Sequence, residues 1–127
     1  MKAEILLDSH VIAWLYAGMI EQLSQSAQFW INEKVVGIVA PIWSELADWH
    51  HQGYLRIGPQ LIVADLQQRL GLELVETNPF DLARVTTEIT WTGNNTDRQL
   101  VASSILLHLP LLTKDAQIHN HFEGAIW

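Results

Sequence analysis

The chain contains no cysteine among its 127 residues, which excludes disulfide frameworks, thiolate zinc sites and cysteine nucleophiles. No apolar run reaches the ~20 residues that span a bilayer. The opening Met1-Lys2-Ala3-Glu4-Ile5 carries an acid and passes straight into a strand-like run, without the apolar core and small-residue cleavage site of a signal peptide. These absences give the expectation of a cytoplasmic protein with no membrane contact. Positive charge is scarce as well. Lys and Arg number 7 against 14 Asp and Glu, for a formal net charge of −7. That leaves little with which to build the broad basic face that usually neutralises nucleic-acid phosphates. A nucleic acid would have to be held locally, with a metal ion supplying much of the positive charge. The same acidity suits a basic protein partner. Phosphate-binding P-loops, the dinucleotide glycine fingerprint and the Gly-x-Ser-x-Gly elbow are all missing, so Walker-type hydrolysis and serine-hydrolase chemistry lack support.

What is present is ordinary for a compact protein. Hydrophobic residues make up 49%, and the length suits one domain over residues 1–127 and is too short for two. Residues 3–7 read as a short buried strand, followed by a helix with His10, Val11, Trp14 and Leu15 at helical spacing and Gly18 at its end. Ser24 is placed to cap a second helix through about residue 33. A strand over 35–39 leads to Pro41, which fits the first turn of a helix running to about residue 52 and stopped by Gly53. A further helix spans 58–70, a strand 72–75, and a helix opened by Pro79 runs toward residue 88. After the turn cluster 92–96, Asn95 or Thr96 is expected to cap a helix over 97–108. A strand at 111–113, a short helix after Asp115 and a last strand at 125–127 complete the chain. Strands alternating with helices imply parallel pairing and a sheet covered on both faces.

Four acids stand out against that frame. Asp8 closes the run Glu4-Ile5-Leu6-Leu7-Asp8, and Asp115 follows Leu109-Pro110-Leu111-Leu112. Both lie at carboxyl ends of strands, where open parallel sheets collect their ligands. Glu45 sits just inside one helix and Asp97 opens another. Carboxylates gathered in one place repel unless a cation neutralises them or some take up protons, and hard divalent ions prefer oxygen ligands. A magnesium or manganese site is the economical reading. Each acid also has a plainer role. Asp8 and Asp115 are equally placed to cap the next helix, and Glu45 and Asp97 fall in early helical turns favoured by the dipole. Asp97 shares its face with Val101 and Ser104, the small or apolar residues of a buried side, where an acid needs a partner. Ser9 and Thr113 are candidate hydroxyl contacts, to site water or to backbone.

The histidines have no good zinc spacing: His50 and His51 are adjacent, and His119 and His121 stand two apart. They are expected at the surface, with His108 at a helix C-terminus where the dipole favours imidazole. Six tryptophans are many for this length. Most are expected in the core or at an interface; a base-stacking role is open to them, though nothing in their spacing asks for it.

In order and spacing, these motifs resemble the PIN-domain ribonucleases, specifically VapC-like toxins of bacterial toxin–antitoxin pairs. The resemblance covers nearly the whole chain. It comprises Leu6-Leu7-Asp8-Ser9-His10 with Trp14, then Ser44-Glu45 with Gly53 closing the helix. Asp97-Arg98-Gln99-Leu100-Val101-Ala102-Ser103, Leu109-Pro110-Leu111-Leu112-Thr113-Lys114-Asp115 and the terminal Trp127 complete it. It implies a PIN-like three-layer α/β/α sandwich around a parallel sheet, with Asp8, Glu45, Asp97 and Asp115 as an acidic quartet. It further implies RNA cleavage with Mg2+ or Mn2+, a homodimer, and a small antitoxin that inserts a basic side chain into the site. The chain departs from the pattern at Asn94, where many relatives carry an acid, which leaves one carboxylate fewer for a second metal. Ser9 replaces a frequent threonine and keeps the hydroxyl.

The leading expectation is therefore metal-dependent phosphodiester hydrolysis. Asp8 and Asp97 are the principal ligands, Asp115 binds directly or through water, and Glu45 orients or deprotonates the attacking water or completes the shell. Arg98 and Lys114 are candidate phosphate contacts, or surface charges, or for Arg98 an internal pair to an acid. The alternative is a PIN-fold RNA- or protein-binding module with little or no nuclease activity. A receiver-type phosphoacceptor ranks lower, because Asp8 is followed by Ser9-His10 rather than a second acid and the strand at 72–75 ends in Glu76-Thr77.

Overall fold

A computed structural model describes residues 2–127. Its sheet has five parallel strands in the order β3-β2-β1-β4-β5. These are β1 (Ile5–Leu7), β2 (Val36–Val39), β3 (Glu73–Val75), β4 (Leu111–Leu112) and β5 (Ala125–Ile126). The helices between them are α1 (Ser9–Ala17), α2 (Gln25–Glu33), α3 (Ala40–His51), α4 (Pro59–Leu70), α5 (Pro79–Glu88), α6 (Asn95–Leu107) and α7 (Ala116–His121). They flank the sheet to give a three-layer α/β/α architecture. No described helix is long and apolar enough to cross a membrane.

The chain starts in the middle of the sheet, adds β2 and β3 on one side, and then crosses to place β4 and β5 on the other. Strand order therefore reverses between β1 and β4, which pair through Leu6 with Leu111 and Leu7 with Leu112. Such a reversal leaves a crevice at the strands' carboxyl ends. The strand sequences explain the positions. β1 is buried throughout and packs both faces, whereas edge strand β3 leaves Leu74 exposed. Between β1 and β3, Gly37 permits close packing, since a Cβ there would meet Val75 Cγ2 at 2.7 Å and Ala3 Cβ at 2.9 Å.

Helix ends follow local chemistry. Gly18 ends α1 with φ of 73°, a left-handed conformation that glycine adopts without strain. Ser24 Oγ accepts the Ala27 N–H at 2.9 Å and caps α2. The sequence expectation fails by a step at α6. Its cap is Asn94, whose Oδ1 accepts the Asp97 N–H at 2.9 Å, rather than Asn95 or Thr96. Three consecutive residues there have capping side chains, and the first one took the role. A short 3-10 turn at Ile20–Gln22, with no clear sequence signal, links α1 to α2.

Candidate functional site

The crevice is built first from Asp8. Its backbone N–H donates to Leu112 O at 3.1 Å, so β1 and β4 stay paired to their ends. Asp8 is also the N-cap of α1, with Oδ1 accepting the Ser9 N–H at 2.6 Å. Capping and presentation at the strand end are thus one geometry. The other oxygen, Oδ2, accepts from the Thr113 hydroxyl at 2.5 Å. Thr113 Oγ1 in turn accepts the Asp115 N–H at 3.1 Å. One buried threonine thereby locks the residue after β1 to the loop after β4.

Asp115 caps α7 through Oδ1, which accepts the Ile118 N–H at 2.9 Å. His119 on that helix places Nε2 2.7 Å from Thr113 O. A carbonyl only accepts, so His119 presents Nε2–H and holds the loop from below. The sequence placed this histidine at the surface. It is exposed, yet it has a structural partner. Glu45 lies on α3 and Asp97 in the first turn of α6, both half-buried.

Electrostatics tie the four acids together. Burial is the main cause that raises the Asp8 pKa. The Thr113 hydroxyl, the Ser9 N–H and His10 oppose it, and Glu45 adds to it. Asp97 is pushed up to about 7, first by desolvation and then by the charges of Asp8, Asp115 and Glu45. The fold therefore concentrates negative charge where water is partly excluded, a cost that a bound cation relieves. Ser9 Oγ is buried beside Asp8 without a hydrogen-bond partner among the described residues, which is itself costly. The donor set is all oxygen, as hard divalent ions require. Its chemistry and charge fit Mg2+ or Mn2+. Among the described residues, however, no three His, Asp or Glu side chains stand as a ready metal cage. Asp8 and Asp115 are turned toward their capping N–H groups.

The two candidate phosphate contacts divide. Lys114 is exposed beside Asp115, with Nζ 5.9 Å from the centre of the Trp14 ring. Arg98 faces elsewhere. Its Nε donates to Ile89 O at 2.9 Å and its Nη2 to Thr86 O at 3.1 Å. It thus satisfies open carbonyls at the α5 C-terminus, where the dipole is negative, and it pairs with none of the acids.

Next to the acids lies a cleft of about 710 Å³, with Ile38, Val39, Leu74 and Val75 along the β2 and β3 ends and Glu45, Asp48 and Glu76 at its walls. Sequence reasoning did not find it, because its walls come from separate elements. It also missed an aromatic group at the opposite side of Asp8. The His10 ring lies 4.9 Å from Trp49 and 5.8 Å from Trp14, and Trp14 lies 6.1 Å from Trp127. The i, i+4 spacings of His10 with Trp14 and of Glu45 with Trp49 were the available signals.

No protein-family model matches the sequence, and no curated protein matches it. Solved structures do. A toxin–antitoxin complex from Klebsiella pneumoniae superposes with TM-score 0.64 at 14% identity, over 97% of this chain and 96% of that one. VapBC2 from Rickettsia felis, bound to a promoter DNA fragment, gives 0.66 at 15% identity over 96% and 95%. PAE2754 from Pyrobaculum aerophilum gives 0.61 at 21% identity over 99% and 90%. The fold is PIN-like. At these identities the likeness establishes the architecture, and within the PIN-like fold it is the acids at the β1 and β4 ends that carry the chemical argument.

Proposed function

We propose that this protein is a metal-dependent endoribonuclease and the toxin of a toxin–antitoxin pair. The observation that carries the reading is the joining of Asp8 and Asp115 through Thr113 at the paired ends of β1 and β4, with Asp97 pushed up to about 7 by burial and by the charges of Asp8, Asp115 and Glu45. Asp8, Asp97 and Asp115 would hold Mg2+ or Mn2+. Such an ion supplies Lewis acidity for phosphodiester hydrolysis.

The chain's own residues do the rest. Glu45 orients the attacking water and takes its proton. Thr113 fixes Asp8 in one rotamer by the 2.5 Å hydrogen bond, so that the carboxylate is preorganised rather than searching for its position. The free Ser9 hydroxyl holds water near Asp8. Lys114 contacts the RNA phosphate. Arg98, bound to the α5 carbonyls, takes no part.

The net charge of −7 and the acidic site together favour an inhibitory partner with a basic inserting segment. The similar Klebsiella structure is a toxin–antitoxin complex, which supports a small antitoxin as that partner. A homodimer belongs to the same reading.

Purified wild type and Asp8→Asn are incubated with total RNA in Mn2+, in Mg2+ and in chelator. Discrete products that require both the metal and Asp8 are expected. A folded wild type that binds metal and leaves RNA intact would point instead to a PIN-fold binding module.

A further inference from the structure

The aromatic group beside the acids is placed as a receptor for something flat. Each member is tethered to a member of the acid cluster. His10 lies two residues after Asp8 on α1, Trp49 one helical turn after Glu45 on α3, and Lys114 immediately before Asp115. Trp127 follows β5, whose Ile126 O accepts the Thr113 N–H at 3.1 Å. These positions set the group near the acids in the fold.

Its rings meet one another at tilted angles rather than face to face. Trp91 and His121, elsewhere in the molecule, stack at 4.8 Å with planes 8° apart, so that each covers the other's face. The His10 pairs are tilted instead, by 58° to Trp49 and by 46° to Trp14. His10 is exposed, and the three tryptophans are half-buried. The exposed His10 ring is thus the open surface of the group, flanked by tryptophans that pack partly against the core, next to an exposed cation, Lys114, in a chain with few cations to place. Among the other arginines, Arg69 pairs with Asp65 and Arg84 with Asp81.

We propose that His10, Trp14, Trp49 and Trp127 form a stacking platform for an unpaired nucleobase adjoining the scissile phosphate, with Lys114 contacting the phosphate of that nucleotide. Aromatic side chains bind any base through its π-face, and a neighbouring cation tracks the backbone. The identity of the ligand rests on the ribonuclease reading above. A second copy of this chain is the less favoured occupant, since pairing these faces would bring two acid clusters and two charges of −7 together. The platform selects single-stranded over double-stranded RNA, because a paired base offers no free face.

The test is fluorescence anisotropy with a labelled single-stranded oligoribonucleotide and with an oligomer of equal length built from abasic ribose units. Both are titrated at low ionic strength in chelator and again in Mg2+, with folding checked by circular dichroism. Removing the bases, or exchanging the exposed ring by His10→Ala, is expected to weaken binding by roughly ten- to a hundredfold. Trp49→Phe keeps a ring and stays within a few-fold. Lys114→Gln reduces the salt slope by about one while preserving the preference for intact bases. Equal affinity for intact and abasic oligomers would overturn the platform. So would no saturable binding by folded wild type in either condition, or a dimer disrupted by His10→Ala without base-dependent RNA binding. The two readings fail separately. Base-dependent binding without metal-dependent cleavage would keep the platform and contradict the nuclease, and cleavage with base-indifferent binding would do the reverse.

Discussion

The carboxyl edge of the sheet has two halves that solve opposite problems. At the ends of β1 and β4, Asp8 and Thr113 are buried and Asp97 and Asp115 half-buried, in a network where repulsion is left uncompensated. At the ends of β2 and β3 the chain leaves a cleft with apolar Ile38, Val39 and Val75 at its base and its acids at the walls. The first half spends stability to hold charge in place. Glu45 belongs to both, lining the cleft and acting on Asp8 and Asp97. Under the proposed function, buried like charge rather than the cleft marks the reactive half.

The largest break in that contrast is expected from Asp8→Asn. It removes one charge while keeping the shape and the capping oxygen, so RNA cleavage should fall by about a thousandfold or more. Thermal unfolding without metal should stay the same or move upward. A gel assay and a melting curve on the same preparation check both.

Thr113→Val comes next. It keeps the volume and deletes the hydroxyl that donates to Asp8 and accepts from the Asp115 N–H. Mn2+ affinity is expected to drop by roughly ten- to a hundredfold, as when other supports of a ligand are removed. Calorimetric titration would measure it.

Asp97 sharpens the comparison through pH. Its folded pKa, about 7, lies above the ordinary 3.8. The native state therefore holds the proton more tightly than the unfolded chain. The stability this contributes is full below the ordinary value and is lost as pH rises through about 7. Metal-free wild type should melt lower at about pH 8 than at about pH 5.5, with Asp97→Asn flattening that slope. Melting temperatures across that range check the sign, and a slope unchanged in the variant would contradict it.

The smallest effect on the site is expected in the other half. Leu82→Ala enlarges the cleft beside Pro79. Truncating a half-buried leucine should cost about 1–2 kcal/mol of stability and leave Mn2+ affinity unchanged. Denaturant unfolding and the same titration separate the two quantities.

These contrasts also indicate how far the sequence could be read. The alternation of strands and helices, the Gly18 and Ser24 helix ends and the burial of β1 follow from local pattern, and they recur in the structure. At Asp8 and Asp115 the sequence left two roles open, ligand or cap. The structure gives each its cap, Asp8 for α1 and Asp115 for α7, and the ligand role stays with the proposal. Asn94 was read as the place of a missing acid, whereas it is the cap that sets the start of α6. Arg98 could not be placed from sequence, because its partners are carbonyls presented only once α5 packs against α6. The same limit hid the His10–Trp49 contact, which joins α1 to α3, and the His119 hold on Thr113. Periodicity assigns a residue to a face. It does not say which other face arrives opposite.

The most direct test is isothermal titration of metal-free protein with Mn2+ in buffers of different ionisation enthalpy, at about pH 6 and about pH 8.5. The acid-cluster account predicts saturable binding with proton release at the lower pH, little release at the higher, and loss of binding in Asp8→Asn and Asp97→Asn. Absence of saturable binding by folded wild type, or binding that both variants retain, would contradict it.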